Sequence, residues 1–69
     1  MRLSARNQLT GTISAIQAGA VMATVTIALE GGQEVVASIT KESVESLALA
    51  VGDNVTAVIK STEVMVGKE

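Results

Sequence analysis

The sequence predicts an all-β fold with one short helix, in which five strands curl into a small barrel. Three observations carry this. Apolar and polar residues alternate with period two through most of the chain, glycines interrupt the alternation at turn-like intervals, and one stretch after Thr40 changes period. Short alternating runs bounded by glycine are the sequence form of half-buried strands.

The first strand starts at Leu9, where Leu9, Gly11, Ile13 and Ala15 alternate with Thr10, Thr12, Ser14 and Ile16. Gln17 to Ala20 supplies a glycine turn. In the second strand Val21, Ala23, Val25, Ile27 and Leu29 face one way, and Met22, Thr24, Thr26, Ala28 and Glu30 the other. Gly31-Gly32 reads as a two-residue hairpin turn, because paired glycines reach the positive φ such turns require. Val35, Ala37 and Ile39 alternate with Val36, Ser38 and Thr40 in the third strand. At Thr40 the period lengthens. Thr40 is a candidate N-cap, Glu42 lies in the first turn, and Val44 and Leu47 share a face, which predicts a helix of two or three turns at most. The glycine of Val51-Gly52-Asp53 is expected to end it. Val55, Ala57 and Ile59 resume alternation as a fourth strand, and Thr62 to Val66 forms a short fifth. Three strands, a helix and two more strands make the element list of an OB-like barrel.

Residues 1–69 are read as one domain, with no internal repeat and no linker. A chain of this length buries only about 60% of the surface its unfolded form exposes, and such chains usually gain stability from disulfides, metals or oligomerisation. There is no Cys and no His, so oligomerisation is what remains. The chain is 48% hydrophobic without a single Phe, Trp or Tyr. That much aliphatic surface on a small domain points to a protein interface, hence to a homo-oligomer. The formal net charge is −2 and only five residues are Lys or Arg, too few for the basic face of a nucleic-acid binder. Aromatic platforms for single strands are missing as well. No signal peptide is read at the N-terminus, and no apolar run approaches the roughly 18 residues that span a membrane.

Without His, Cys or Tyr, general-base and nucleophile arrangements have no candidate beyond a Ser–Lys pairing such as Lys60 with Ser4 or Ser61, so an enzyme is not expected. Gly31-Gly32 lacks the Lys-Ser/Thr pair of a phosphate loop, and no acidic pair falls at cation-loop spacing. Anion binding survives this elimination. Arg6 stands in a polar run, Ser4-Ala5-Arg6-Asn7-Gln8, ahead of the first strand. Lys60 ends an apolar strand and is followed by Ser61 and Thr62. Cations flanked by hydroxyls offer a tetrahedral oxyanion both charged and neutral donors. The helix start adds Thr40 and Ser43 with the outward N–H groups of a first turn. Each feature also has an ordinary explanation: a solvated lysine, a plain helix cap, a mobile N-terminal arginine. The methionines read as gap-fillers or interface residues.

Taken together, "SARNQLTGTI" at 4–13, "GAV" at 19–21, "ASITKESVESLAL" at 37–49 and "VGDNVTAVIKSTEVMV" at 51–66 closely resemble the molbindins, or Mop proteins, built from the TOBE-type domain. The resemblance covers nearly the whole chain. It implies a cytoplasmic molybdate- or tungstate-binding protein acting in storage or homeostasis, or alternatively a sensing module that serves a transporter or regulator. It further implies a hexamer, a trimer of dimers, with dianions held by hydrogen bonds where subunits meet. Carried over by position, one site uses Ser4, Ala5, Arg6, Lys60 and Ser61, with Thr40 and Ser43 from a neighbouring subunit. Asn7 either pins that loop or touches the anion. A second site involves Gly19, Ala20 and Val21. Met22 departs from the family there, where Asn is common, and a thioether cannot donate to an oxyanion.

Overall fold

The computed structural model describes all 69 residues, Met1–Glu69. It contains β1 (Asn7–Ala18), β2 (Met22–Leu29), β3 (Glu34–Thr40), α1 (Lys41–Ser46) and β4 (Asn54–Ile59). The strands form one antiparallel sheet in the order β3-β2-β1-β4. The 12-residue β1 is its spine. It pairs with β4 through Asn7–Thr12 and with β2 through Gly11–Ala18. Strands β2, β3 and β4 bury the alternate positions read from the sequence. Ile13, Ala23, Val25, Ile27 and Ala57 are the buried residues. Val35, Ala37 and Ile39 of β3 pack against them, joined by Val44 and Leu49.

One departure lies inside β1. The pairing runs Gly11↔Leu29 to Ile13↔Ile27, then resumes at Ala15↔Thr26, which leaves Ser14 as an extra residue. A bulge of one residue sends every following side chain to the opposite face. Ile16 therefore packs against the core while Ala15 is exposed, the reverse of uninterrupted alternation. The Ser14 hydroxyl donates to the Thr26 carbonyl at 3.3 Å. The Ile13 amide donates to the Asp53 carbonyl at 3.0 Å, and the Ile13 carbonyl accepts from Gly52 at 2.8 Å. The bulge thus ties the loop before β4 to the spine.

The turns differ from expectation in detail. The β2–β3 hairpin has three loop residues, Glu30–Gly32, closed by Leu29 N–H to Gln33 at 2.7 Å. Gly31 and Gly32 both have positive φ, 95° and 93°. The helix is capped by Thr40 as expected but spans only Lys41–Ser46. It is not Gly52 that ends it. Ala48, at φ 52°, takes the left-handed position after the C-cap Leu47. Its amide donates to Glu45, and that of Leu49 to Val44, both at 3.0 Å, which is the Schellman pattern with alanine in glycine's usual place.

The expected fifth strand is not paired. Ser61–Glu63 forms a single 3₁₀ turn, and the sheet ends at β3 and β4, which are not joined to each other. The barrel is open along one side, because the residues that alternation assigned to its last strand meet no partner in their own chain.

Candidate functional site

Two polar clusters lie at opposite ends of β1. At its start, Asn7 pairs with Ile59 across the β1–β4 ladder. The Asn7 amide donates to the Ile59 carbonyl at 3.2 Å and to the Ser61 hydroxyl at 3.5 Å. Gln8 donates to the Ala5 carbonyl at 2.8 Å and folds the Ser4–Asn7 loop back on the strand. The two halves of the sequence that carry Arg6 and Lys60 are thereby held side by side. Asn7 has both amide hydrogens committed to this junction, which is a pinning role. Arg6, Lys60, Ser4 and Ser61 are exposed. Neither the Arg6 guanidinium nor the Lys60 ammonium enters any side-chain hydrogen bond within the chain.

The second cluster gathers where β2 begins and β3 ends. Met22 pairs with Thr40, and the Lys41 amide donates to the Val21 carbonyl at 2.8 Å. This brings Gly19–Val21 beside Thr40 and Ser43, two groups that the sequence reading assigned to separate sites. Thr40 Oγ1 accepts from the Ser43 amide at 3.0 Å and donates to Ser43 Oγ at 2.8 Å. The Thr40 proton is thus used inside the cap, and the Ser43 hydroxyl keeps its own proton uncommitted within the chain. Ala20, Val21, Thr40, Lys41, Glu42 and Glu45 line an open hollow of about 410 Å³, several times the volume of a tetrahedral oxyanion.

Lys41, Glu42 and Glu45 were not singled out from the sequence as lining residues. The signal available was adjacency to the Thr40 cap, since the first helical turn must face whatever the cap faces. Their charges matter. One cation against two carboxylates gives this hollow no net attraction for a dianion, while Arg6 and Lys60 stand at the far end of β1. At roughly 3.3 Å per residue, a 12-residue strand spans about 35–40 Å, comparable to the 37 Å longest dimension of the molecule. A single chain therefore keeps the hydroxyl hollow and the two uncommitted cations apart.

Comparison with known proteins agrees with this fold. Residues 3–66 match the TOBE domain family. The molybdenum-pterin-binding protein 3 of Clostridium pasteurianum is 46% identical over 66 residues, covering 96% of this chain and 97% of that protein. The molybdate-binding protein of Sporomusa ovata superposes with a TM-score of 0.93 at 46% identity, over 99% of this chain and all (100%) of its own. The cytoplasmic molybdate-binding protein ModG, solved with molybdate bound, is 54% identical with a TM-score of 0.85, over 88% of this chain and 43% of ModG. Against the molybdenum transport protein ModE of Herbaspirillum seropedicae, 48% identical, the chain spans 24% of the length. On family match, fold and full-length relatives alike, the chain belongs to the TOBE domain family, among its small molbindin, or Mop, members.

Proposed function

We propose that this protein binds molybdate or tungstate as intact oxyanions at junctions between copies of the chain, and acts in their intracellular storage or homeostasis rather than as an enzyme. The observation that carries the proposal is the separation of complementary halves: Thr40, hydrogen-bonded to Ser43, in a hollow without net positive charge, and Arg6 and Lys60 uncommitted at the opposite end of β1. Bringing one copy's Arg6–Lys60 end against another's Thr40–Ser43 hollow supplies charge-assisted and neutral donors together. It also narrows a hollow that alone is too roomy to grip a small anion. Burying a dianion is tolerable only when several donors converge on it, so binding and association reinforce each other. A hexamer built as a trimer of dimers satisfies this reading. Ser4 and Ser61 complete the shell on the Arg6 side, and Gly19–Val21 contribute backbone at the hollow. Selection over sulfate follows from cavity size, because both anions carry the same charge.

No helix of the chain is long and apolar enough to cross a membrane, and ModG is described as cytoplasmic. Both support a cytoplasmic setting. A second reading, a sensing module acting on a larger partner, is favoured by one fact: a similar segment forms about a quarter of ModE, 24% of its length.

The test is native mass spectrometry on anion-stripped protein titrated with molybdate and, separately, sulfate. The expected result is an oligomer that takes up molybdate and ignores sulfate. The Arg6→Ala/Lys60→Ala variant should lose at least 100-fold in molybdate affinity, since charge-assisted bonds contribute about 1.5–3 kcal/mol each. Unchanged affinity in that variant would refute the assignment.

A further inference from the structure

We infer that Lys41 is a further oxyanion-binding residue, its ammonium the cation that each chain brings to its own hollow, where it joins the Arg6 and Lys60 of a neighbouring copy. The inference rests on the oxyanion reading above and names a group that reading does not use.

Helix formation does not account for this lysine. Lys41 is the first residue of α1, directly after the Thr40 cap. A cation there meets the positive end of the helix dipole, which disfavours it. Glu45 stands four residues on, and lysine ahead of glutamate is the weaker order for a pair at that spacing. No such pair forms. The Lys41 ammonium enters no side-chain hydrogen bond, whether with Glu42, Glu45 or any other group. All three side chains are exposed.

What the fold does hold is the root of the side chain. The Lys41 amide donates to the Val21 carbonyl at 2.8 Å, and the preceding residue, Thr40, pairs with Met22. This ties the corner between β3 and α1 to the turn before β2 and sets Lys41 in the wall of the hollow, beside Ala20, Val21 and Thr40. A residue that breaks the charge preference of its own helix, makes no ion pair and lines a hollow is placed for a ligand rather than for the fold. The ammonium, not the helix end, is the donor.

Charge decides its effect. Without Lys41 the hollow would present only the carboxylates of Glu42 and Glu45. The Arg6–Lys60 end of a second copy would then do no more than cancel them, and a dianion would enter with no counter-charge. With Lys41, three cations face two carboxylates. A lysine ammonium on its flexible stem can turn its donors to an anion whose position other groups fix.

The test is calorimetric titration of the full-length protein with molybdate at low salt, in the parent and in Lys41→Ala, Lys41→Glu and Lys41→Arg. Melting temperature and assembly size are measured on the same samples before anion is added. Lys41→Ala is expected to bind molybdate about tenfold more weakly, the loss of one charge-assisted bond. Lys41→Glu should lose more, and Lys41→Arg, which keeps the charge and the donors, should recover most of the affinity. Free of anion, Lys41→Ala and Lys41→Glu should melt at or above the parent temperature, because an unfavourable charge has left the helix start. Weaker binding with undiminished stability separates a ligand role from a structural one. Parent-like affinity in Lys41→Ala would overturn the inference and leave the oxyanion reading standing. So would an equal loss in Lys41→Arg, or losses that follow a fall in melting temperature or assembly size. A parent protein that takes up no molybdate would overturn both.

Discussion

Gly11 and Ala48 invert the usual roles of their residue types. A Cβ at Gly11 would lie 2.6 Å from the Ala28 carbonyl oxygen and 2.7 Å from Ile27 Cγ2, so β1 and β2 approach there only because that atom is missing. Ala48 instead carries a Cβ at φ 52°, a conformation that costs an L-residue about 1–2 kcal/mol. Opposite substitutions should therefore have opposite signs. Gly11→Ala is expected to lose about 1–3 kcal/mol through overpacking, and Ala48→Gly to gain about 1 kcal/mol by relieving the helix stop. Thermal melts at equal protein concentration check both. At roughly 4–8 °C per kcal/mol for a domain of this size, both shifts are measurable.

At the scale of elements, Thr40 belongs to two structures at once. It caps α1 through the Ser43 amide, and it lines the hollow with Val21 and Lys41. Thr40→Asp separates these roles. Aspartate caps at least as well as threonine, so the melting temperature should hold within about 2 °C of the parent. A carboxylate beside the anion should nevertheless lower molybdate affinity at least tenfold, measured by isothermal titration. Equal affinity would show that the hollow does not hold the anion. The strands were legible because each buries one face, and Ala23, Val25 and Ile27 kept the expected side. The bulge was not, since Ser14 resembles any exposed strand serine and its irregularity is fixed by the loop at Gly52 and Asp53. The helix stop was missed because alanine gives no local signal for a left-handed residue. Arg6, Lys60, Thr40 and Ser43 stood out by residue type and setting. That Gly19–Val21 lie beside Thr40 depends on β2–β3 pairing, which no short stretch of sequence encodes.

For the whole molecule, ligand binding to the folded assembly raises stability by mass action. Molybdate at 100 times its dissociation constant should add about 2.7 kcal/mol, a rise on the order of 10 °C or more in the melting temperature. Sulfate at the same concentration should leave it nearly unchanged. Equal response to both anions would mean that cavity size does not discriminate. The slender core, with only Ile13, Ala23, Val25, Ile27 and Ala57 buried, makes this coupling large relative to what one chain can supply.

The polarity of β1, with cations at one end and hydroxyls at the other, also gives the proposed junctions a stoichiometry. Under the proposed reading each copy brings one half of a junction at either end, so copies joined head to tail in an open row of n would contain n − 1 complete junctions and two orphaned halves. Closure into a ring, or into a reciprocal pair, converts the orphans and brings the ratio to one anion per chain for this class of junction. Counting anions per chain therefore measures whether the assembly is topologically closed, and an unclosed assembly advertises itself by a deficit of one.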